Sequence, residues 1–498
     1  MLHIARRPRT LAVLTLAFFG VLPAMGQTRT EDLKFSDQFD TGWSVGISGT
    51  TAIVGSPSDT PDGIPFTGSA FLIDTTTGDI LFNLAASDGA DGDRVGQSVG
   101  ISGTTAIVGA PFDNNAMGSA YLFDTTTGNQ LFKLTDPDAV ANDIFGNSVA
   151  ISGTIAIVGE PRDDDLGGSS GSAFVFDTTT GNQLFKLTAS DGAGDDQFGW
   201  SVAISGTTAI VGAPTDDGMG SAYLFDTTTG NQLFKITASD GAGGDQFGTS
   251  VAISGTTAIV GAPNDDDAEN DSGSAYLFDT TTGNQLFKIT ASDGALADKF
   301  GWSVALSGTT AIVGGQRTES AYQFDTTTGD QLFKLIASDG GPTAGLGYSV
   351  AFSGTTAIVG APSDTNSTGS AYLYHFAPNI RQQPQSLVAT DGESAIFSVQ
   401  IADETDVNFQ WRRNGVDLAD AGNISGTQTP TLQIDATQSD VAYYDCVMTT
   451  MFASTTTDQT VLGILADPDA CIVDLNNDGT LNFFDVSLFL QLFSAGCP

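Results

Sequence analysis

Alternation of polar and apolar positions sets the first expectations. Ser201-Val-Ala-Ile-Ser205 alternates small or polar with apolar residues, the period of a half-buried strand. Gly206-Thr207 predicts a turn, and the continuous apolar run from Thr208 to Gly212 predicts a strand buried on both faces. Ala213-Pro214 opens a polar loop that lasts to Gly220. Ser221 to Phe225 predicts a third strand, Asp226-Thr-Thr-Thr-Gly230 a second turn, and Asn231 to Ile236 a fourth strand. Ala238 to Gln246 then leads into the next unit. Four antiparallel strands on short turns make one propeller blade.

The same unit recurs. Its most regular part, S-V-x-x-S-G-T-x-A-I-V-G, begins at Ser44, Ser98, Ser148, Ser201, Ser250, Ser303 and Ser349, a period of 46–54 residues. A repeat of that length predicts a seven-bladed propeller over 27–377 in a mainly β chain. The ends predict closure. The fourth strand occurs at Leu81, Leu131, Leu184, Leu233, Leu286 and Leu332, and the seventh unit stops without one at Tyr374-His375-Phe376. Asp32-Leu-Lys-Phe35 precedes the first unit and is expected to complete the last blade, removing open sheet edges.

Parity then separates the two faces. The 1–2 and 3–4 turns are neutral Ser-Gly-Thr and Thr-Thr-Thr-Gly. The opposite 2–3 loops hold Asp163-Asp164-Asp165, Asp216-Asp217 and Asp265-Asp266-Asp267, and the 4–1 loops add Asp191, Asp195, Asp196, Asp240, Asp245, Asp293 and Asp298. One strongly negative face is expected, as a candidate binding surface. The sixth unit departs, with Gly315-Gln316-Arg317.

Composition narrows the classes. There are 58 acidic and 17 basic residues, a formal net charge of -41, so nucleic acid and anionic lipid are poor partners. The two histidines, His3 and His375, nearly exclude histidine catalysis and histidine-ligated zinc. Arg6, Arg7 and Arg9 precede an apolar run from Leu11 to Leu22, with Ala24-Met25-Gly26 after it. This predicts a signal peptide over 1–26, cut near Gly26-Gln27, and a secreted or cell-surface protein with no membrane span.

The repeat resembles the FG-GAP unit of integrin α-chain propellers. Phe-Gly stands at Phe145, Phe198, Phe247 and Phe300, and Gly-Ala-Pro at Gly109, Gly212, Gly261 and Gly360, with Gly159-Glu160-Pro161 as a near match. The resemblance implies extracellular recognition and cell adhesion on the face of the 2–3 and 4–1 loops. The D-x-D-x-D-G-x-x-D calcium loop common in that family is replaced by the short Ser-Gly-Thr turn.

Residues 378–466 resemble an immunoglobulin-like β-sandwich. Trp411 occupies the core-tryptophan position, and Asp440-x-Ala442-x-Tyr444-x-Cys446 carries the signature that places Tyr444 at a tyrosine corner. Phe397 replaces the usual first cysteine, so Cys446 is expected to be a buried apolar residue.

In 467–498, Asp474-x-Asn476-x-Asp478-Gly479-Thr480 and Asp485 follow the spacing of an EF-hand-like loop, whose oxygens suit Ca2+. The segment resembles one type I dockerin repeat, where two are usual, and implies a cell-surface or cohesin-like partner. Cys471 and Cys497 bracket it, and an oxidising compartment would favour their pairing as a disulfide.

Two functions follow. The first is a non-catalytic binding or adhesion protein that meets an extracellular protein or glycan through the acidic face. The second is a polysaccharide-active enzyme, a glycoside hydrolase or lyase. Glycoside hydrolysis needs two placed carboxylates, and an active site should break the symmetry with unique acids and aromatics at the axis. The repeats are close to copies, which favours the binding protein and no enzyme activity.

Overall fold

The computed structural model describes residues 27–36, 40–266, 269–339, 345–364, 368–401, 407–450 and 453–465. The expected signal peptide 1–26, Asp267, and the tail with Cys471, Asp474, Asn476, Asp478, Thr480, Asp485 and Cys497 lie outside the described residues.

Seven sheets follow one another, each built on four antiparallel strands, which are in sequence order in the first six. In the fourth, the strands are Ser201–Ser205, Thr208–Ala213, Ser221–Asp226 and Asn231–Ile236, within one residue of expectation. First strands of neighbouring sheets pack together around a common axis, the seventh against the first. This arrangement is a propeller.

The repeated serines and glycines explain the ring. Ser201 Oγ donates to Gly248 O of the next unit at 2.8 Å, and Ser44, Ser98, Ser250 and Ser303 repeat that bond with Gly96, Gly146, Gly301 and Gly347. Ser349 Oγ to Gly42 O, also 2.8 Å, closes the circle. The seam leaves no room for a side chain. A Cβ added at Gly212 would press into the Gly248 carbonyl, and Gly248 itself needs φ 95°, the left-handed region where glycine is at no disadvantage. The phenylalanine of each Phe-Gly fills the gap between sheets. Phe198 meets Tyr223 and Phe225 edge-on at 5.4 and 5.8 Å, in a cluster drawn from two adjacent sheets.

At the ends, Leu33–Phe35 pairs antiparallel with Ser370–His375, as expected, and supplies the seventh sheet's outer strand. The preceding Gln27–Thr30 adds a parallel fifth strand to the sixth sheet, against Gln331–Ile336. Nothing in Gln-Thr-Arg-Thr alternates in a way that foretells it.

Behind the ring, a six-stranded and a three-stranded sheet enclose Trp411, Tyr444, Met448 and Leu432, with a two-stranded pair beside them. Tyr444 donates to Asp440 O at 2.8 Å, the tyrosine corner. Phe397, at the position of the usual first cysteine, stacks on Tyr444 at 5.2 Å, and burial pushes the Cys446 thiol up to about 12. That thiol is an apolar filler, as expected. Arg381, at the start of this module, donates to Asp325, Thr327 and Thr309 in the turns of the sixth unit. The module is therefore tied to the face opposite the acidic loops. Among the described residues no helix is long and apolar enough to cross a membrane.

Candidate functional site

The acidic loops converge on one face, and a lysine on six of the seven outer strands sorts their charges; the first unit has Asn83 instead. Lys235 binds Asp216 at 2.8 Å, Asp217 at 3.1 Å and, from the preceding 4–1 loop, Asp191 at 2.7 Å. Lys133, Lys186, Lys288 and Lys34 repeat the arrangement, each with two aspartates. In the sixth unit, where Gly315-Gln316-Arg317 replaces the acidic loop, Lys334 keeps Asp293. Tyr223 donates to Asp216 at 2.7 Å, and Tyr276 to Asp265 at 2.5 Å.

This corrects part of the expected binding face. Asp163, Asp216 and Asp265 are buried, because each is held by a lysine and by a hydroxyl (Ser172, Tyr223 or Tyr276) from its own unit. They hold the blade together. Asp164, Asp165, Asp217 and Asp266 remain exposed. Asp164 and Asp266 use one oxygen to accept the backbone N–H of Ser169 and Asp271, both at 2.7 Å. The surface stays acidic, but with fewer free carboxylates than the sequence suggests. Among the described residues no group of three or more His, Cys, Asp or Glu is gathered to hold a metal ion.

The symmetry breaks at the axis. The residue after each Phe-Gly or its equivalent is Trp43, Gln97, Asn147, Trp200, Thr249, Trp302 or Tyr348. A tight turn fixes each one. In the fourth unit Gln197 takes φ 56° and Gly199 φ 93°, and Trp200 N–H donates back to Gln197 O at 3.1 Å. The seven side chains ring a pocket of about 320 Å³ at the mouth of the central channel, on the acidic-loop face. Below them come the repeated serines and valines, and no charged residue lines the pocket.

Three of the chain's four tryptophans are here. Tyr348 lies between two of them, 4.9 Å from Trp43 and 5.8 Å from Trp302 between ring centroids. Burial, with the Asp40 charge nearby, pushes the Tyr348 phenol up to about 12, so it remains a neutral O–H. Asn147 Nδ2 donates to Trp200 O at 3.1 Å. Gln97 Oε1 is buried and receives no donor. Sequence reasoning passed over this ring, although the signal was present: it is the one freely varying position immediately before an otherwise fixed Ser-Val.

A second break lies between the second and third units. Four junctions pack an alanine of the 4–1 loop near the alanine of Gly-Ala-Pro: Ala86 with Ala110, Ala189 with Ala213, Ala238 with Ala262, and Ala337 with Ala361. At this junction the corresponding positions hold Asp136 and Glu160. Glu160 is 0% exposed and neither oxygen meets a donor. The polar group in reach is another carboxyl, Asp136, which can bond it only through a shared proton. Burial, then the charges of Asp136, Asp163 and Asp143, raise Glu160 to about 9.

Comparison with known proteins agrees with this geometry. The FG-GAP repeat family matches residues 82–123, 129–176, 182–225, 231–278, 284–323 and 330–374, together more than half of the chain. Each match runs from a fourth strand, or the turn just before it, to the third strand of the next sheet. The immunoglobulin I-set domain matches residues 378–462. No curated protein matches the chain. Similar solved structures include hydrazine synthase of Kuenenia stuttgartiensis, 13% identical over 69% of this chain and 97% of that one, at a TM-score of 0.49. Titin domain M4 is 26% identical over 18% of this chain and 96% of its own, at 0.17. The titin tandem A164-A165 is 28% identical over 18% of this chain and 48% of its own, also at 0.17. With the Phe-Gly and Gly-Ala-Pro glycines forming the seams of the ring and the repeat matched over more than half its length, the chain belongs to the FG-GAP repeat family.

Proposed function

We propose that this is a secreted or cell-surface binding protein, without catalytic activity, whose seven-bladed propeller meets an extracellular protein or glycan on its acidic-loop face. The observation that carries the reading is the division of labour between the two faces. The loop face gathers the exposed aspartates and the axial pocket. The turn face is closed by short repeated turns and carries the immunoglobulin-like module through Arg381. The pocket lining contains no carboxylate, imidazole, amine or thiol, and of its hydroxyls Ser44, Ser98, Ser201, Ser250, Ser303, Ser349 and Thr249 already donate to backbone carbonyls.

The full chain, offered arrayed extracellular polysaccharides and proteins, is expected to be retained without shortening them. Asp217→Lys with Asp266→Lys should weaken retention about tenfold for a cationic ligand, through loss of complementary charge. Release of shortened polymer would make the protein an enzyme instead, and retention indifferent to charge reversal would remove the aspartates from the binding surface.

The tail is assigned Ca2+ on Asp474, Asn476, Asp478, Thr480 and Asp485, since a hard cation takes about 6–8 oxygens on such a loop. Calorimetric titration should show a calcium site in the full chain that disappears in Asp474→Ala with Asp478→Ala. An unchanged titration would refute it.

A further inference from the structure

We propose that the axial mouth binds the end of a neutral carbohydrate chain. The inference rests on the binding-protein reading and names the ligand class of one site on that face.

Three observations converge. Trp302, Tyr348 and Trp43 come from consecutive units and form a half-buried aromatic shelf, with Trp200 across the axis. Aromatic faces carry partial negative charge and attract the polarised C–H groups of a pyranose ring. The remaining ring positions are Gln97, Asn147 and Thr249, amides and a hydroxyl rather than further apolar residues. These groups both give and take hydrogen bonds, as sugar hydroxyls require, and Gln97 Oε1 is a buried acceptor still lacking a donor. A buried acceptor without a partner is costly, so a ligand hydroxyl that satisfies it gains affinity and specificity together.

Charge decides against other occupants. The chain has a formal net charge of -41, yet the pocket lining carries none. A polyanion would be repelled by the surrounding aspartates. A cationic ligand would settle on the exposed aspartates at the rim rather than in an uncharged aromatic pocket. The cavity, about 320 Å³, lies at the small end of ligand pockets, about 300–1,000 Å³. It admits a chain terminus rather than an internal stretch.

The test uses the full chain on an array of neutral and charged glycans, followed by calorimetry and tryptophan fluorescence on the hits. Neutral glycans are expected to bind with a change in tryptophan emission, and charged ones no better. Trp302→Ala should weaken binding at least about tenfold. Because that change could loosen the ring, Gln97→Leu, which keeps the size and removes the amide, should weaken the same ligand about fivefold or more with an unchanged melting temperature. Absence of any neutral hit overturns the proposal. So does a hit indifferent to both variants, since its site then lies elsewhere. A chain that ignores glycans but holds a protein on its loop face would overturn the carbohydrate assignment and leave the broader reading standing.

Discussion

Deleting residues 27–35 is expected to open the ring. The deletion removes the outer strand of the seventh sheet and the fifth strand of the sixth, with Phe35 from a core shared by the first and seventh units. It also removes Lys34, which binds Asp339 and Asp364, both at 2.7 Å, and so leaves Asp364 buried without its cation. Losing a buried aromatic costs about 3–5 kcal/mol, and stranding a buried charge costs a similar amount. Urea unfolding should therefore shift by several kcal/mol, and the bared edge of the seventh sheet should promote association visible by size-exclusion chromatography.

Lys34→Met separates charge from strand. Burial opposes ionisation of Asp364, but hydrogen bonds from Lys34, Tyr372 and Ser370 outweigh it and hold the carboxyl down to about 2. A lowered folded value stabilises above the unfolded value of about 4 and is lost as pH falls toward 2. The Lys34→Met and parent curves should therefore differ at pH 7 and converge near pH 2. A deletion variant that unfolds with the parent would mean that the ring does not depend on this closure.

Glu160→Ala, in contrast, should make the protein more stable. The substitution restores the alanine found at four of the other junctions, so the backbone already accommodates it. The sign with pH is fixed by the raised carboxyl. Folded at about 9 and unfolded near 4.3, Glu160 binds more proton in the native state throughout that interval. Its contribution therefore falls as pH rises from about 4 to 9. The gain from Glu160→Ala should be small at pH 4 and reach about 2–4 kcal/mol at pH 8, from relief of a buried, unpaired acid. Thermal unfolding of both chains across that range measures it. A gain that does not grow with pH would show that Glu160 is ionised in the native state and neutralised by something other than a proton.

Much of the fold was legible because each unit repeats the same periodicities. An alternating strand, a Ser-Gly turn and an apolar strand recur seven times, and the fourth strand missing from the seventh unit points to the N-terminal segment that replaces it. The site was less legible, for reasons of distance along the chain. Whether an aspartate is free depends on a lysine some 18–23 residues later, as with Asp217, Asp163 and Lys235 or Lys186. Asp136 and Glu160 lie in loops of different units, so neither residue announces the other. Tyr348 meets Trp43 only because the seventh unit returns to the first. The Phe-Gly motif marks the seam plainly, while the variable residue after it reads as noise until the seven are placed around one axis.

On the proposed carbohydrate reading, that placement makes the mouth a combinatorial recognition element. Each repeat contributes one side chain to it, and the bonds that close the ring run through the neighbouring serines and glycines instead. Exchanging one of the seven residues is therefore expected to retune selectivity while those bonds stay in place. The same frame offers a seven-letter alphabet of pockets, to natural divergence or to a designer choosing letters one repeat at a time.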